Sequence, residues 1–195
     1  MINVSFLLYT AFRLAPFILV SFFSLSSILN QDVKGIVYLA GLLFASFIAT
    51  VVGSTSDAFK NKTDNTENDL ICNVLTLTEN GRLSNVPLSM VTFSYTFFFL
   101  VDVIAHYKLA VQNIPTLIIF PLIIIAEFAW NMFYTCTSMA GIVAAFGIGS
   151  IIGWAWSTII RSSGAVKLQY FNGISNSNVC TRSSTQKFKC TTTTI

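Results

Sequence analysis

Long apolar stretches separated by polar connections form the pattern of this chain. Most of them approach the roughly 20 helical residues that a bilayer core requires. The one long connection is 55–86. The pattern predicts an all-α membrane protein, in which residues 1–160 form a bundle of about five transmembrane helices and residues 161–195 form a polar tail. The predicted spans are 4–29, 33–54, 87–105, 114–132 and 139–160.

The first stretch is less regular than the others, because Arg13 and Pro16 interrupt it. One long tilted helix from Val4, with the Arg13 side chain extended to the membrane surface, explains this pattern. A surface helix followed by a short span over Leu14–Leu29 is the alternative. A cleaved signal peptide fits poorly, since no Lys or Arg precedes Arg13 and no good small-residue cleavage site follows.

Composition and charge narrow the class of protein. The chain is 54% hydrophobic and 10% charged, whereas a soluble domain carries about 25% charged residues. A soluble monomer and a disordered chain are therefore both excluded.

With five spans, one side of the membrane receives seven basic residues and one acidic residue, and the other side receives four basic and five acidic residues. Because basic loops stay in the cytoplasm, the tail is predicted to be cytoplasmic and the loop 55–86 luminal or external.

The polar segments contain β-forming patterns. Residues 70–86 are rich in β-formers on both sides of Asn80-Gly81, a type I′ turn signal, and are predicted to form a small β-hairpin. In the tail, Lys167–Phe171 and Gln186–Cys190 are predicted as short strands joined by Asn- and Ser-rich turns. Both segments are therefore candidate docking elements outside the bilayer.

Small residues recur at every fourth position in the second and last spans. Such a face lets two helix backbones approach closely, and in lipid this contact drives helix association. The two antiparallel spans are predicted to pack on each other, with homodimerisation through the last span as the alternative. The predicted packing residues are Gly41, Ala45, Ala49 and Gly53 in the second span, and Gly141, Ala145, Gly149, Gly153 and Ser157 in the last.

Asp102, His106 and Glu127 are the candidate ionisable residues in the third and fourth spans or directly beside them. Such residues usually indicate function, and Asp102 and His106 share a helix face, which allows a carboxylate–imidazole contact. We expect both to be solvated near the helix end instead. Glu127 is expected to be a hydrogen-bonded or protonated carboxylate, too far along the membrane normal to pair with Asp102. The pattern offers no nucleophile–base constellation, so neither an enzyme nor catalytic residues are predicted.

The four cysteines fall two on each predicted side. Cys180 and Cys190 have a spacing suited to a disulfide across a hairpin, although a reducing cytosol favours free thiols. Cys72 and Cys136 lie together on the other side and would pair if that side is oxidising. A chain with one His and no Cys-x-x-Cys pair predicts no zinc site. No cofactor and no nucleic-acid partner is predicted either.

Three segments carry a resemblance to a family. They are Ala15–Ala45 (APFILVSFFSLSSILNQDVKGIVYLAGLLFA), Ile71–Leu100 (ICNVLTLTENGRLSNVPLSMVTFSYTFFFL) and the tail run STQKFKC. In them the chain resembles uncharacterised multi-span membrane proteins of large nucleocytoplasmic DNA viruses of algae and protists. The resemblance rests on general texture and short runs, and it assigns no role to any residue.

The resemblance implies a location and a set of partners. Such viruses enclose an internal membrane beneath the capsid, and small multi-span proteins in it link bilayer to shell. The expected function is therefore that of a structural membrane protein, with other viral membrane or capsid proteins, or a second copy, as partners. Viral thiol oxidation would also favour a Cys180–Cys190 bond. The alternative function is a small ion or proton channel or transporter that uses Asp102, His106 and Glu127.

Overall fold

The computed structural model describes residues 4–55, 85–133, 137–165, 168–169, 178–182 and 188–192, with the backbone alone for 4–13 and for the last two ranges. In these residues it has five α-helices, and two short strands in the tail. The helices are α1 (Val4–Leu29), α2 (Lys34–Thr55), α3 (Leu88–His106), α4 (Ile114–Phe133) and α5 (Met139–Ser162), and the strands are β1 (Asn178–Arg182) and β2 (Phe188–Thr192). A 3-10 turn, Val111–Asn113, leads into α4.

The helical part of the prediction is confirmed, and each helix begins and ends within two residues of a predicted span. Helix α1 is continuous through Pro16, as the single-helix interpretation requires. Four helices are long and apolar enough to cross a membrane, namely α2, α3, α4 with its preceding turn, and α5. Within α1, the stretch Leu14–Leu29 is apolar but shorter than these four. These helices are compatible with a membrane protein.

Consecutive helices run antiparallel, as the contacts between their ends indicate. The Gly35 amide of α2 donates to Ser27 Oγ near the end of α1, at 3.1 Å. The Asn85 side-chain amide, just before α3, donates to the carbonyl of Gly53 near the end of α2, at 2.9 Å. Helices α3 and α5 are therefore parallel to each other, and the ends of both lie beside the α1–α2 turn.

Helix α3 lies at the centre of the bundle, in contact with all four other helices. Its residues from Met90 to Thr96 are all buried. By contrast, each of the other helices exposes large apolar side chains along its length. Examples are Phe22 in α1, Leu43 in α2, Ile125 in α4 and Ile151 in α5, each at least 63% exposed. An apolar exterior around a packed interior is the arrangement that a lipid environment favours.

An aromatic cluster joins the first three helices. The Phe23 ring of α1 stacks on the Tyr38 ring of α2 with centroids 4.4 Å apart. On α3, the Tyr95 and Phe99 rings lie 5.5 and 5.7 Å from that of Tyr38. Aromatic pairs at these separations add about 0.5–1.5 kcal/mol each beyond the area that they bury.

The small-residue faces are buried. Helices α2 and α5 are in contact, as predicted, but Gly149 and Gly153 of α5 pack against α3. A Cβ added at Gly149 would lie 2.6 Å from the Val91 carbonyl oxygen, and one added at Gly153 would lie 2.4 Å from the Tyr95 carbonyl oxygen. Only glycine permits so close an approach of two helix backbones. The predicted packing residues are all buried within the chain: Gly41, Ala45, Ala49, Gly53, Gly141, Ala145, Gly149, Gly153 and Ser157.

The predicted β-structure outside the helices, in the segment 70–86 and in the tail, agrees less well with the structure. The hairpin predicted over 70–86 lies outside the described residues except for Asn85 and Val86, which form a bend, so the structure does not support it. In the tail, Lys167–Phe171 was predicted as a strand, but Leu168 donates its amide to the carbonyl of Ala165 in a turn, at 2.8 Å. Among the described residues of the tail, the strand that pairs antiparallel with β2 begins at Asn178.

Candidate functional site: polar contacts of the central helix

Helix α3 carries several buried polar side chains, and most of its hydroxyls are satisfied within the helix. Thr92, Ser94 and Thr96 each donate to the carbonyl four residues earlier, at 3.0, 2.7 and 2.7 Å. A hydroxyl bonded in this way can be buried without a partner on another helix. The side chains of Ser89, Tyr95 and Asp102 reach other helices, and they define the candidate site. Thr96 Oγ1 also shares a hydrogen bond with the Tyr38 hydroxyl of α2, at 2.7 Å.

Asp102 forms an ion pair between α3 and α5. Its Oδ2 accepts from Arg161 Nη1 at 2.9 Å and from Ser157 Oγ at 2.7 Å. Ser157 and Arg161 are one helical turn apart, so both reach the same carboxylate. The Asp102 side chain is 7% exposed and that of Arg161 is 25% exposed. The expectation that Asp102 is solvated at a helix end is therefore wrong, because α5 supplies a cation that allows burial.

His106 does not take part in this contact. It is exposed, and its ring meets the Tyr107 ring edge-on with centroids 5.0 Å apart. The carboxylate–imidazole contact that the four-residue spacing allows is not formed, because both described partners of Asp102 lie on α5. His106 thus remains a surface residue at the end of α3.

Glu127 is the centre of a second polar cluster, which joins α4 to the beginning of α3. Its Oε1 accepts from Ser89 Oγ and from Asn131 Nδ2, the latter at 3.1 Å. Asn131 also donates to the Glu127 carbonyl at 2.8 Å and accepts from Thr137 Oγ1 at 3.3 Å. Glu127 is 3% exposed and Asn131 is 2% exposed. The carboxylate is thus hydrogen-bonded, with neutral donors in the part of the chain described.

The two carboxylates lie at opposite ends of α3. Ser89, which binds Glu127, and Asp102 are separated by thirteen positions of that helix, or about 20 Å at 1.5 Å per residue. Between them the interior is filled by the aromatic cluster and by the close contact of α3 with α5. Among the described residues there is thus no short path of ionisable groups from one cluster to the other.

Gly41 is where α2, α3 and α5 meet. A Cβ at this position would lie 2.2 Å from the Tyr95 hydroxyl and 2.6 Å from the Trp156 ring. The Tyr95 hydroxyl donates to the Tyr38 carbonyl at 3.1 Å, and Trp156 Nε1 donates to the Val37 carbonyl at 3.0 Å. The absence of a side chain at Gly41 therefore lets the Tyr95 and Trp156 donors reach backbone carbonyls of α2. Trp156 is half-buried against α2.

The cysteines are divided between described and undescribed parts of the chain. Cys72 and Cys136 lie outside the described residues, so their predicted pairing stays a prediction. Cys180 and Cys190 lie in β1 and β2, and the register of the strands makes them partners.

Sequence reasoning did not identify the neutral partners of the carboxylates, Ser89, Asn131 and Ser157. One signal was present, because the third span combines Asp102 with several hydroxyl residues, and polar residues in such spans face the bundle interior. Comparisons with protein-family models, with curated proteins and with solved structures find no match for this chain. The functional argument therefore rests on the contacts described above.

Proposed function

We propose that this chain is a structural membrane protein of a large DNA virus, which crosses the virion's internal membrane five times and contacts neighbouring membrane or capsid proteins. The observation that carries the proposal is that both carboxylates in the predicted spans bind side chains of another helix. Asp102 binds Arg161 and Ser157 of α5, and Glu127 binds Ser89 of α3. Each contact joins two helices, as expected for a rigid scaffold.

The segments outside the helices support the choice of partners. The tail from 163 to 195 contains four basic residues and no acidic one, so it suits an acidic protein surface or anionic lipid headgroups. The viral context rests on the sequence resemblance alone.

Mass spectrometry of purified virions tests this proposal. In particles of the virus that encodes the chain, we expect the protein in intact virions and its loss when detergent strips the internal membrane. Cross-linking before the strip should join tail lysines such as Lys187 and Lys189 to a capsid or membrane protein. Absence of the protein from purified particles would contradict the proposal.

A second candidate function is a small proton or ion channel, and the burial of Glu127 favours it. An ionisable side chain that is 3% exposed inside an apolar bundle is a usual feature of ion pathways. Ion flux into liposomes that contain the wild-type protein, Glu127→Gln or Asp102→Asn distinguishes the two functions. The structural proposal predicts no flux above that of empty liposomes, whereas a channel predicts wild-type flux that Glu127→Gln abolishes.

A further inference from the structure

The tail hairpin places two cysteines opposite each other. Strands β1 and β2 pair antiparallel over five positions, from Asn178 opposite Thr192 to Arg182 opposite Phe188, and Cys180 is the partner of Cys190 at the centre. Directly opposed residues of antiparallel strands have Cα atoms about 4.5–5.5 Å apart, within the roughly 4.4–6.8 Å that a disulfide spans. We propose that Cys180 and Cys190 form an intramolecular disulfide that closes this hairpin.

The bond would supply what a hairpin of this size lacks. A two-stranded hairpin is marginally stable in water, and a cross-link stabilises it by restricting the unfolded chain. The bond would also fix the register, because a slip of one residue would place Cys180 opposite Lys189 or Thr191 instead of Cys190. The inference is independent of the proposed function, since it depends on the tail alone.

The chemistry is a thiol–disulfide exchange with a small disulfide such as oxidised glutathione as the oxidant. The thiolate of one cysteine attacks the glutathione disulfide, forms a mixed disulfide and releases one glutathione. The second thiolate then attacks the protein sulfur of the mixed disulfide and releases the other. Two protein thiols lose two electrons, glutathione disulfide is reduced to two thiols, and the two thiol protons pass to the released glutathione.

The test uses the purified full-length protein in detergent, equilibrated in glutathione buffers of defined redox composition. A defined buffer is needed because disulfides persist only where the compartment is oxidising. After acid quenching and alkylation, trypsin cleaves after Lys167, Arg182 and Lys189 and so separates the two cysteines. The wild type should yield peptide 168–182 linked to peptide 190–195, and reduction should release both.

A register-shifted variant is the matched control. Cys190→Ser combined with Thr191→Cys keeps two thiols in the tail but moves one to the position opposite Val179. We expect the linked peptide to fall severalfold and mixed disulfides with glutathione to replace it. Equal linkage in the wild type and the shifted variant would overturn the proposal. So would a wild type that carries only mixed disulfides, or one that links Cys180 or Cys190 to Cys72 or Cys136.

Discussion

Asp102 illustrates how this chain accommodates charge in an apolar bundle. A carboxylate that leaves water loses several kcal/mol of hydration, which a paired cation and further hydrogen bonds must offset. Arg161 supplies the charge at 2.9 Å and Ser157 supplies a donor at 2.7 Å. The partly exposed Arg161 keeps part of its own hydration. The contact therefore joins α3 to α5 at one end of the bundle and leaves neither charge unpaired.

Replacing Asp102 by Asn should destabilise the protein, because Arg161 then lies beside a neutral group. Loss of one partner from a buried pair costs roughly 3–5 kcal/mol, and the partial exposure of Arg161 lowers our expectation to about 1–3 kcal/mol. Denaturant unfolding in detergent measures the effect. The double variant Asp102→Asn/Arg161→Met should recover part of the lost stability. If the two single substitutions add without interaction, the ion pair does not contribute.

At the scale of the helix, the contact between α5 and α3 depends on particular glycines rather than on the small-residue pattern as a whole. A methyl group at Gly153 would lie 2.4 Å from the Tyr95 carbonyl oxygen, whereas nothing lies within 4 Å of one at Gly147 in the same helix. Replacing each of these two glycines by alanine therefore separates the effect of packing on stability from the effect of helix propensity.

Gly153→Ala should lower stability by about 1–3 kcal/mol, because the backbones of α3 and α5 must move apart. Gly147→Ala should be neutral or should stabilise by up to about 1 kcal/mol, since alanine favours a helix over glycine. Thermal unfolding of both variants in the same detergent gives the comparison. Equal effects at the two positions would show that the close contact between α3 and α5 does not contribute to stability.

Helix α4 has few buried side chains, and Glu127 is one of them. The others are Ile124 and Asn131. Glu127→Leu should cost about 1–3 kcal/mol, because Ser89 and Asn131 lose their hydrogen bonds to the carboxylate. Glu127→Gln keeps an acceptor oxygen and should cost less than about 1 kcal/mol. Proteolysis of the α4–α5 connection in detergent should accelerate in the Leu variant alone, and equal rates in both would contradict this role.

The helices could be predicted from the sequence, but most of the contacts between them could not. Apolar length determines where a span begins and ends, and the helix boundaries agree closely. A small-residue face shows which side of a helix packs tightly without showing everything that packs there. The predicted contact between α5 and α2 is present, but it is α3 that lies against Gly149 and Gly153. The short distance of Asp102 from the end of its helix predicts a solvated carboxylate. In the structure its environment depends instead on Arg161, 59 positions further along the chain.

For the molecule as a whole, the helix directions bring most of the described charged side chains close to one end of the bundle. The α1–α2 turn, with Asp32 and Lys34 paired at 3.5 Å, lies at the same end as Asp102 and Arg161. Lys108 follows α3 at that end too. Glu127 lies at the other end, beside the start of α3 and α5. The chain leaves α5 at the first of these ends, and it leaves α2 and enters α3 at the other.

Labelling of single cysteines in cells tests this arrangement most directly. Variants that keep Cys72 alone or Cys190 alone, with the other cysteines replaced by Ser, are treated with a membrane-impermeant maleimide after the plasma membrane alone is permeabilised, and again after all membranes are. Total labelling in denaturant is the control for reactivity. For a protein in an internal membrane, five crossings predict that Cys190 is labelled at the first step and that Cys72 is labelled only at the second. Labelling of both cysteines from the same side would contradict five crossings.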